Sequence, residues 1–374
     1  MRARPLQVQP ERSGPEPVLE VTGLRVEVHA GSAGWLPAVE DVRLRVGRGA
    51  RVGLVGESGS GKSLTAQALT GLFDGRTLRA QGQMRLDGRP YELARPEAWR
   101  DVRGQRIGLV FQDPLAALDP LQRIGTQVVE ALAIRGGGSR RALRARAIEL
   151  LRQVGIPEPA ERVDAYPHEL SGGMRQRVCI AAALACDPVM LIADEPTTAL
   201  DVTVQVQVLE LLGRLQEDRG MGVLLISHDL DLVSRWCDEV HVLYAGAQVE
   251  SGTAARVLGQ PRHPYTAGLL ASVPAASHRG ARLPELTGGV PEPGRLPTGC
   301  RFHPRCPRAD DRCRTERPGW TRMKDGAVRC HHPLEVRSGM VAGAPEEGAP
   351  DDHRPRAVAD ATAGGSGGGP EGAA

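Results

Sequence analysis

Residues 56–63, Gly56-Glu57-Ser58-Gly59-Ser60-Gly61-Lys62-Ser63, fit the pattern G-x-x-x-x-G-K-[ST] without exception. Glycines at these positions let the backbone turn so that successive N–H groups face the oxygens of a phosphate. In such a loop the lysine, here Lys62, reaches the β- and γ-phosphates, and the following hydroxyl, Ser63, binds Mg²⁺. The chain has two lysines, Lys62 and Lys324, among its 47 basic residues. That one of them stands in this loop points to a need for an ammonium there. A loop of this kind requires an acidic partner at the end of another buried strand. Asp194-Glu195 follow the apolar run 189–193. Asp194 is suited to hold Mg²⁺ through water, and Glu195 to polarise an attacking water as general base. The chemistry these residues predict is hydrolysis of a nucleoside triphosphate.

The elements that must position these groups are legible as apolar runs. Residues 51–55 (RVGLV), 107–111 (IGLVF), 189–193 (VMLIA) and 223–227 (VLLIS) read as short buried strands. Leu64, Ala68 and Leu72 share one face of a helix expected over 63–72, and a second helix is expected at about 204–215. Strands alternating with helices predict a largely parallel sheet covered on both faces. Residues 113–177 differ. Ser139 reads as an N-cap, and Leu143, Ala147, Leu150, Leu151 and Val154 repeat at helical spacing, which predicts a helical subdomain.

Further residues carry a family resemblance. Leu170-Ser171-Gly172-Gly173-Met174, followed by Arg175-Gln176-Arg177, resembles the signature sequence of ABC ATPases. Gln112 in VFQDP resembles the Q-loop glutamine, Thr198-Ala199-Leu200-Asp201 the D-loop, and His228 in LISHD the switch histidine. The resemblance spans about residues 18–335. It implies a P-loop NTPase ABC cassette: a RecA-like parallel-sheet core with an antiparallel β subdomain and a helical subdomain. It also implies a dimer in which Ser171, Gly172, Gly173 and Asp201 of one chain complete the ATP site of the other. His228 would then contact the γ-phosphate and help orient Glu195, and Gln112 would sense the metal and relay closure to the helical subdomain. The family stacks an aromatic side chain on adenine just before the first loop; here that place offers Val28 or His29, with Trp35 nearby.

Residues 263–274, HPYTAGLLASVP, and 299–313, GCRFHPRCPRADDRC, are similar to the C-terminal region of oligopeptide/dipeptide permease ATPases. That resemblance implies an importer of peptides or related small solutes. Its partners would be two transmembrane permease subunits, a second, non-identical ABC ATPase and, indirectly, an extracellular solute-binding protein. The expected location is the cytoplasmic face of the membrane. Cys300, Cys306, Cys313 and Cys330 crowd into this region and point to a metal or cluster site. Their spacing lacks a C-x2-C pair. The family resemblance implies a [4Fe–4S] cluster, with Zn²⁺ or unligated thiols as alternatives; His303, His331 and His332 lie close by. Cys179, Cys186 and Cys237 stand in apolar contexts and read as packing residues.

The expected organisation is a loose leader over 1–17 and a nucleotide-binding domain over 18–260, with its helical subdomain at about 113–177. An irregular Cys-rich module over 261–335 and a low-complexity tail over 336–374 would follow. The leader has no signal-like apolar stretch, and no run approaches the roughly 20 apolar residues a membrane span needs. A net charge of +2 with 25% charged residues argues against a protein that coats nucleic acid. The alternative kept open is a soluble ABC ATPase acting on nucleic acid or the ribosome. One cassette and no sustained heptad repeat count against it.

Overall fold

Why the phosphate loop stands where it does follows from the strand that feeds it. Arg51–Val55 (β3) is flanked on both sides by parallel strands, Gly222–Ser227 (β8) and Glu239–Tyr244 (β9). All six residues of Gly222–Ser227 are buried, as a strand covered on both faces requires. Alternate residues supply two cores: Leu54, Ile192, Leu224 and Ile226 face one, and Val55, Leu191, Ala193, Val223 and Leu225 the other. The computed structural model of the chain describes residues 17–95, 99, 102–198, 200–272 and 286–335. Nearly all of the expected leader, the tail expected over 336–374 and Ala199 lie outside these.

The remaining strands are Pro17–His29 (β1), Trp35–Gly47 (β2), Leu78–Leu86 (β4), Arg89–Glu92 (β5), Ile107–Val110 (β6), Met190–Asp194 (β7), Ala247–Thr253 (β10), Thr321–Met323 (β11) and Gly326–Val328 (β12). Their order is β5-β4-β1-β2-β10-β9-β3-β8-β7-β6. From β6 to β9 the neighbours are parallel. β1, β2, β4 and β5 pair antiparallel, and the two halves meet where Ala247 pairs with Glu40. The parallel core and antiparallel subdomain expected from the resemblance are both present.

The helix after the phosphate loop runs Lys62–Thr70 and that after Asp201 runs Val202–Arg219. Between β6 and β7 the chain is helical. Ser139 caps Arg140–Gln153 by accepting from the Ala142 N–H, and Ala147, Leu150 and Leu151 are its buried residues. Cys179 and Cys237 are buried as expected, whereas Cys186 is half-buried. Among the described residues no helix is long and apolar enough to cross a membrane.

The Cys-rich segment departs from its expectation. It is not a separate irregular body: β12 pairs antiparallel with β10, with Glu250 opposite Val328 and Ser251 opposite Ala327, so its last strands extend the cassette's own sheet. The described residues group as one compact unit. Tyr265 and Phe302 belong to the same core as the helical subdomain. Sequence reading missed this because β11 and β12 are three residues each, too short to show a period.

Candidate active site

The loop after β3 closes on itself through its lysine. Lys62 Nζ donates to the carbonyls of Gly56 at 2.8 Å and Glu57 at 3.0 Å. Burial lowers the Lys62 pKa, and Glu195, Asp194 and Glu57 oppose that shift. The ammonium's direct contacts are backbone carbonyls, and the nearby carboxylates help it keep its charge against desolvation. Gly56 has φ 153°, and a Cβ there would lie 2.2 Å from the Leu243 carbonyl, so a larger residue would break the loop's seat on β9. Ser60 is fully buried, and its Oγ has no partner among the described residues. Its carbonyl accepts from the Gly246 N–H at 2.8 Å.

Ser63 Oγ stands 3.4 Å from Asp194 Oδ1, at the end of β7. Burial raises the Asp194 pKa, with Ser63 and Lys62 opposing. A half-buried carboxylate beside a hydroxyl is suited to a hard divalent cation, which takes oxygen ligands. The residues therefore fit Mg²⁺, whose chemistry, when bound, is to neutralise charge on phosphate oxygens.

Glu195 leaves the strand with φ 47°, in the left-handed region, while its N–H donates to the Ile226 carbonyl at 2.9 Å. Its carboxylate gathers one side chain from its own turn and two from distant segments. Gln112 Nε2 donates to Oε2 at 2.9 Å, Thr198 Oγ1 donates to the same oxygen at 3.0 Å, and His228 Nδ1 lies 3.1 Å from Oε1. Gln112, Asp194, Glu195 and His228, separated by up to 116 residues in sequence, thus cluster at the C-terminal ends of parallel strands, the usual ligand edge of such sheets. Thr198 was foreseen as part of the D-loop, but not as a partner of Glu195. A short hydroxyl three residues after a carboxylate was the available signal.

Ser171, Gly172 and Gly173 start the helix Gly172–Ala183, with Ser171 as its N-cap accepting from the Met174 N–H at 3.3 Å. Asp201 caps Val202–Arg219 through the Val204 N–H at 3.0 Å. Among the described residues no hydrogen bond or ion pair joins Ser171–Gly173 to the Lys62–Glu195 group. Gly172 and Gly173 instead face Leu200 and Val204 of the same chain. Further along, His29 is exposed, with its ring 5.1 Å from that of Trp35, which Arg79 covers at 4.0 Å.

Comparison with known proteins decides the family. Residues 39–198 match the ABC transporter family, and residues 249–313 match the C-terminal region of oligopeptide/dipeptide transporters. The dipeptide transport ATP-binding protein DppD of Escherichia coli is 45% identical over 315 residues, 83% of this chain and 96% of that protein. The chain belongs to the oligopeptide/dipeptide ABC transporter ATP-binding family, and it is an ATPase. A Brucella abortus protein named for peptide import ATP binding is 48% identical over 314 residues, 84% of this chain and 94% of its own length. Among solved structures, the dimeric post-hydrolysis state of the ATP-binding cassette MJ0796 bound to ADP and Pi is 28% identical with a TM-score of 0.56. It covers 63% of this chain and 98% of that one.

Cys300, Cys306, Cys313 and Cys330 line one hollow of about 10 Å³ together with His263, Phe302 and His332. Burial raises every one of the four thiol pKa values, that of Cys330 to about 11. His263 is buried. Its Nδ1 accepts from the Tyr265 N–H at 3.1 Å, and its Nε2 has no partner among the described residues. Among the described residues, the ligand atoms that lie within 4.8 Å of one another belong to Asp310, Cys313 and His332, a group that does not include Cys300, Cys306 or Cys330. Asp310 was not foreseen.

Proposed function

We propose that this ATPase powers the uptake of short peptides or related small solutes from the cytoplasmic face of the membrane. It would work with two transmembrane permease subunits, a second ABC ATPase and an extracellular solute-binding protein. The carrying observation is the convergence of Gln112, Thr198 and His228 on the Glu195 carboxylate, near the Ser63–Asp194 contact that follows Lys62, in a chain whose C-terminal region is of the oligopeptide/dipeptide type. That region favours a transporter over the nucleic-acid or ribosome alternative.

In this reading Gly56–Ser63 holds the triphosphate, and Ser63, Asp194 and Gln112 hold Mg²⁺. Glu195 accepts a proton from the attacking water while His228 fixes the carboxylate and faces the γ-phosphate. Two chains clamp face to face, so Ser171, Gly172, Gly173 and Asp201 serve the partner's nucleotide. The added phosphate contacts last only while the γ-phosphate is present, so hydrolysis opens the pair. His29 is the candidate for adenine stacking. We take 18–260 as the nucleotide-binding domain, 113–177 as the part that receives the permeases, and 261–335 as the importer-type C-terminal region.

For the four cysteines we infer a metal centre, a [4Fe–4S] cluster as the family resemblance implies. A single Zn²⁺ is the second reading, favoured by the small hollow, since a lone ion needs less space than a four-iron core. Either centre would take the cysteines as thiolates, its positive charge offsetting theirs. The deciding experiment for transport is reconstitution in liposomes with the neighbouring permeases and receptor. ATP-dependent accumulation of a labelled dipeptide is expected, and ATP hydrolysis that no peptide, nickel chelate or glutathione stimulates would overturn the reading.

A further inference from the structure

Glu57 of the phosphate loop is gripped on three sides, and two of the grips come from the C-terminal region. Its N–H donates to Tyr265 Oη at 2.8 Å. Its carboxylate takes a two-point ion pair from Arg305, Nη1 to Oε2 at 2.8 Å and Nη2 to Oε1 at 3.0 Å. Its carbonyl accepts from Lys62 Nζ and from the Ser60 N–H at 3.1 Å. Neither C-terminal residue is a surface arm. The Tyr265 side chain is fully buried, and that of Arg305 is 5% exposed.

Both residues are themselves held. Tyr265 packs in a ring cluster with Tyr244 at 4.6 Å and Phe302 at 5.4 Å. Arg305 Nε donates to the Thr287 carbonyl at 2.9 Å, and Nη2 to that of Leu286 at 3.1 Å. Arg301, one turn earlier, donates to the Ala245 carbonyl, next to Gly246, whose N–H holds the Ser60 carbonyl. The same short turn therefore reaches both flanks of the loop.

We propose that Tyr265 and Arg305 are positioning residues for the phosphate loop, fixing Glu57 so that the N–H groups after it are aligned before a nucleotide arrives. A glycine-rich loop has much conformational freedom to lose on binding. Tethers made in advance remove that cost, and preorganised donors gain affinity without any new contact to the ligand. The bidentate geometry matters as well as the charge, because a guanidinium fork matches a carboxylate where an ammonium cannot. The first amides of the helix Lys62–Thr70 have no acceptor within it, and a helix N-terminus favours an anion. This rests on the ATPase reading above and adds a task for the C-terminal region within it.

The test is equilibrium binding of a fluorescent ATP analogue, with steady-state ATPase kinetics, on the full-length chain as Tyr265→Phe, Arg305→Gln, Arg305→Lys, Glu57→Gln and Glu57→Gln/Arg305→Gln. Tyr265→Phe and Arg305→Gln are expected to raise Kd and the KM for ATP about 3- to 10-fold each, with a smaller change in kcat. Arg305→Lys should recover only part of the loss. The double variant should bind no worse than the weaker of its two single variants, since both remove one interaction. Wild-type Kd and KM in both Tyr265→Phe and Arg305→Gln would overturn the proposal. Should Arg305→Gln fail to fold, Tyr265→Phe, which keeps the ring and loses only the hydroxyl, decides alone. A wild-type chain that binds no ATP would remove the ATPase reading itself, whereas binding that is indifferent to these substitutions would remove this inference and leave that reading standing.

Discussion

His228 Nδ1 and Glu195 Oε1 lie 3.1 Å apart, joining the loop after β8 to the end of β7 across two neighbouring parallel strands. The carboxylate's other oxygen is taken by Gln112 and Thr198. The candidate general base is thus held by three side chains, Thr198 from its own turn and Gln112 and His228 from distant segments.

Replacing Glu195 by Gln should remove the proton acceptor while keeping the shape. Turnover is expected to fall on the order of 100-fold or more, with ATP binding retained. His228→Ala should also lower kcat, because it frees one carboxylate oxygen without touching the Lys62 loop. Phosphate release, measured beside nucleotide binding, checks both. Glu195→Gln hydrolysing at the wild-type rate would take Glu195 out of the chemistry.

The two signature glycines should respond differently. A Cβ on Gly172 would meet only Leu200, at an ordinary 3.6 Å, whereas one on Gly173 would press against Val204 at 2.8 Å. Gly172→Glu is therefore expected to fold with stability within about 0.5 kcal/mol of wild type. It should nonetheless abolish ATP-dependent pairing and hydrolysis, since it sets a negative charge against a partner's triphosphate. Gly173→Ala should cost about 1–3 kcal/mol of stability through overpacking. Thermal melting beside size-exclusion chromatography with ATP separates the two; undiminished hydrolysis by Gly172→Glu would contradict the face-to-face arrangement.

His241 on β9 should make the fold acid-sensitive. Burial lowers its pKa from 6.5 to about 4, and its Nδ1 lies 2.6 Å from Gln248 Nε2. The unfolded chain takes up a proton near pH 6.5, and the folded chain resists doing so until about pH 4. Stability is thus unaffected by this group above pH 6.5 and falls as the pH drops through that window, at up to ~1.4 kcal/mol per pH unit. The melting midpoint should decline from pH 7 to pH 5, and His241→Gln should flatten the decline. An unchanged slope in that variant would place the acid sensitivity elsewhere.

Metal content should follow the four cysteines. Anaerobically purified protein is expected to be brown, with iron and sulfide each near four per chain; a colourless protein with one zinc would select the second reading. Cys313→Ser should empty the site in either case. Metal retained at full stoichiometry in that variant would show that the cluster lies elsewhere.

Local chemistry was readable from the residues alone where the chain does its work within a few positions. Glycines and Lys62 shape a loop through backbone conformation. Ser139 and Ser171 cap helices through an N–H three residues on. Residues 52–55 are consecutive and apolar or glycine, and all four are buried. What only the tertiary structure decided is which distant groups share a few ångströms. No periodicity brings Gln112 and His228 to the Glu195 carboxylate, or joins Tyr265 and Arg305 to Glu57 across some 200 and 250 residues. Those pairings are set by strand order and by a C-terminal segment that extends the sheet through two three-residue strands. Side-chain meetings of that kind are fixed by how the whole core packs, and a one-dimensional pattern carries no record of them.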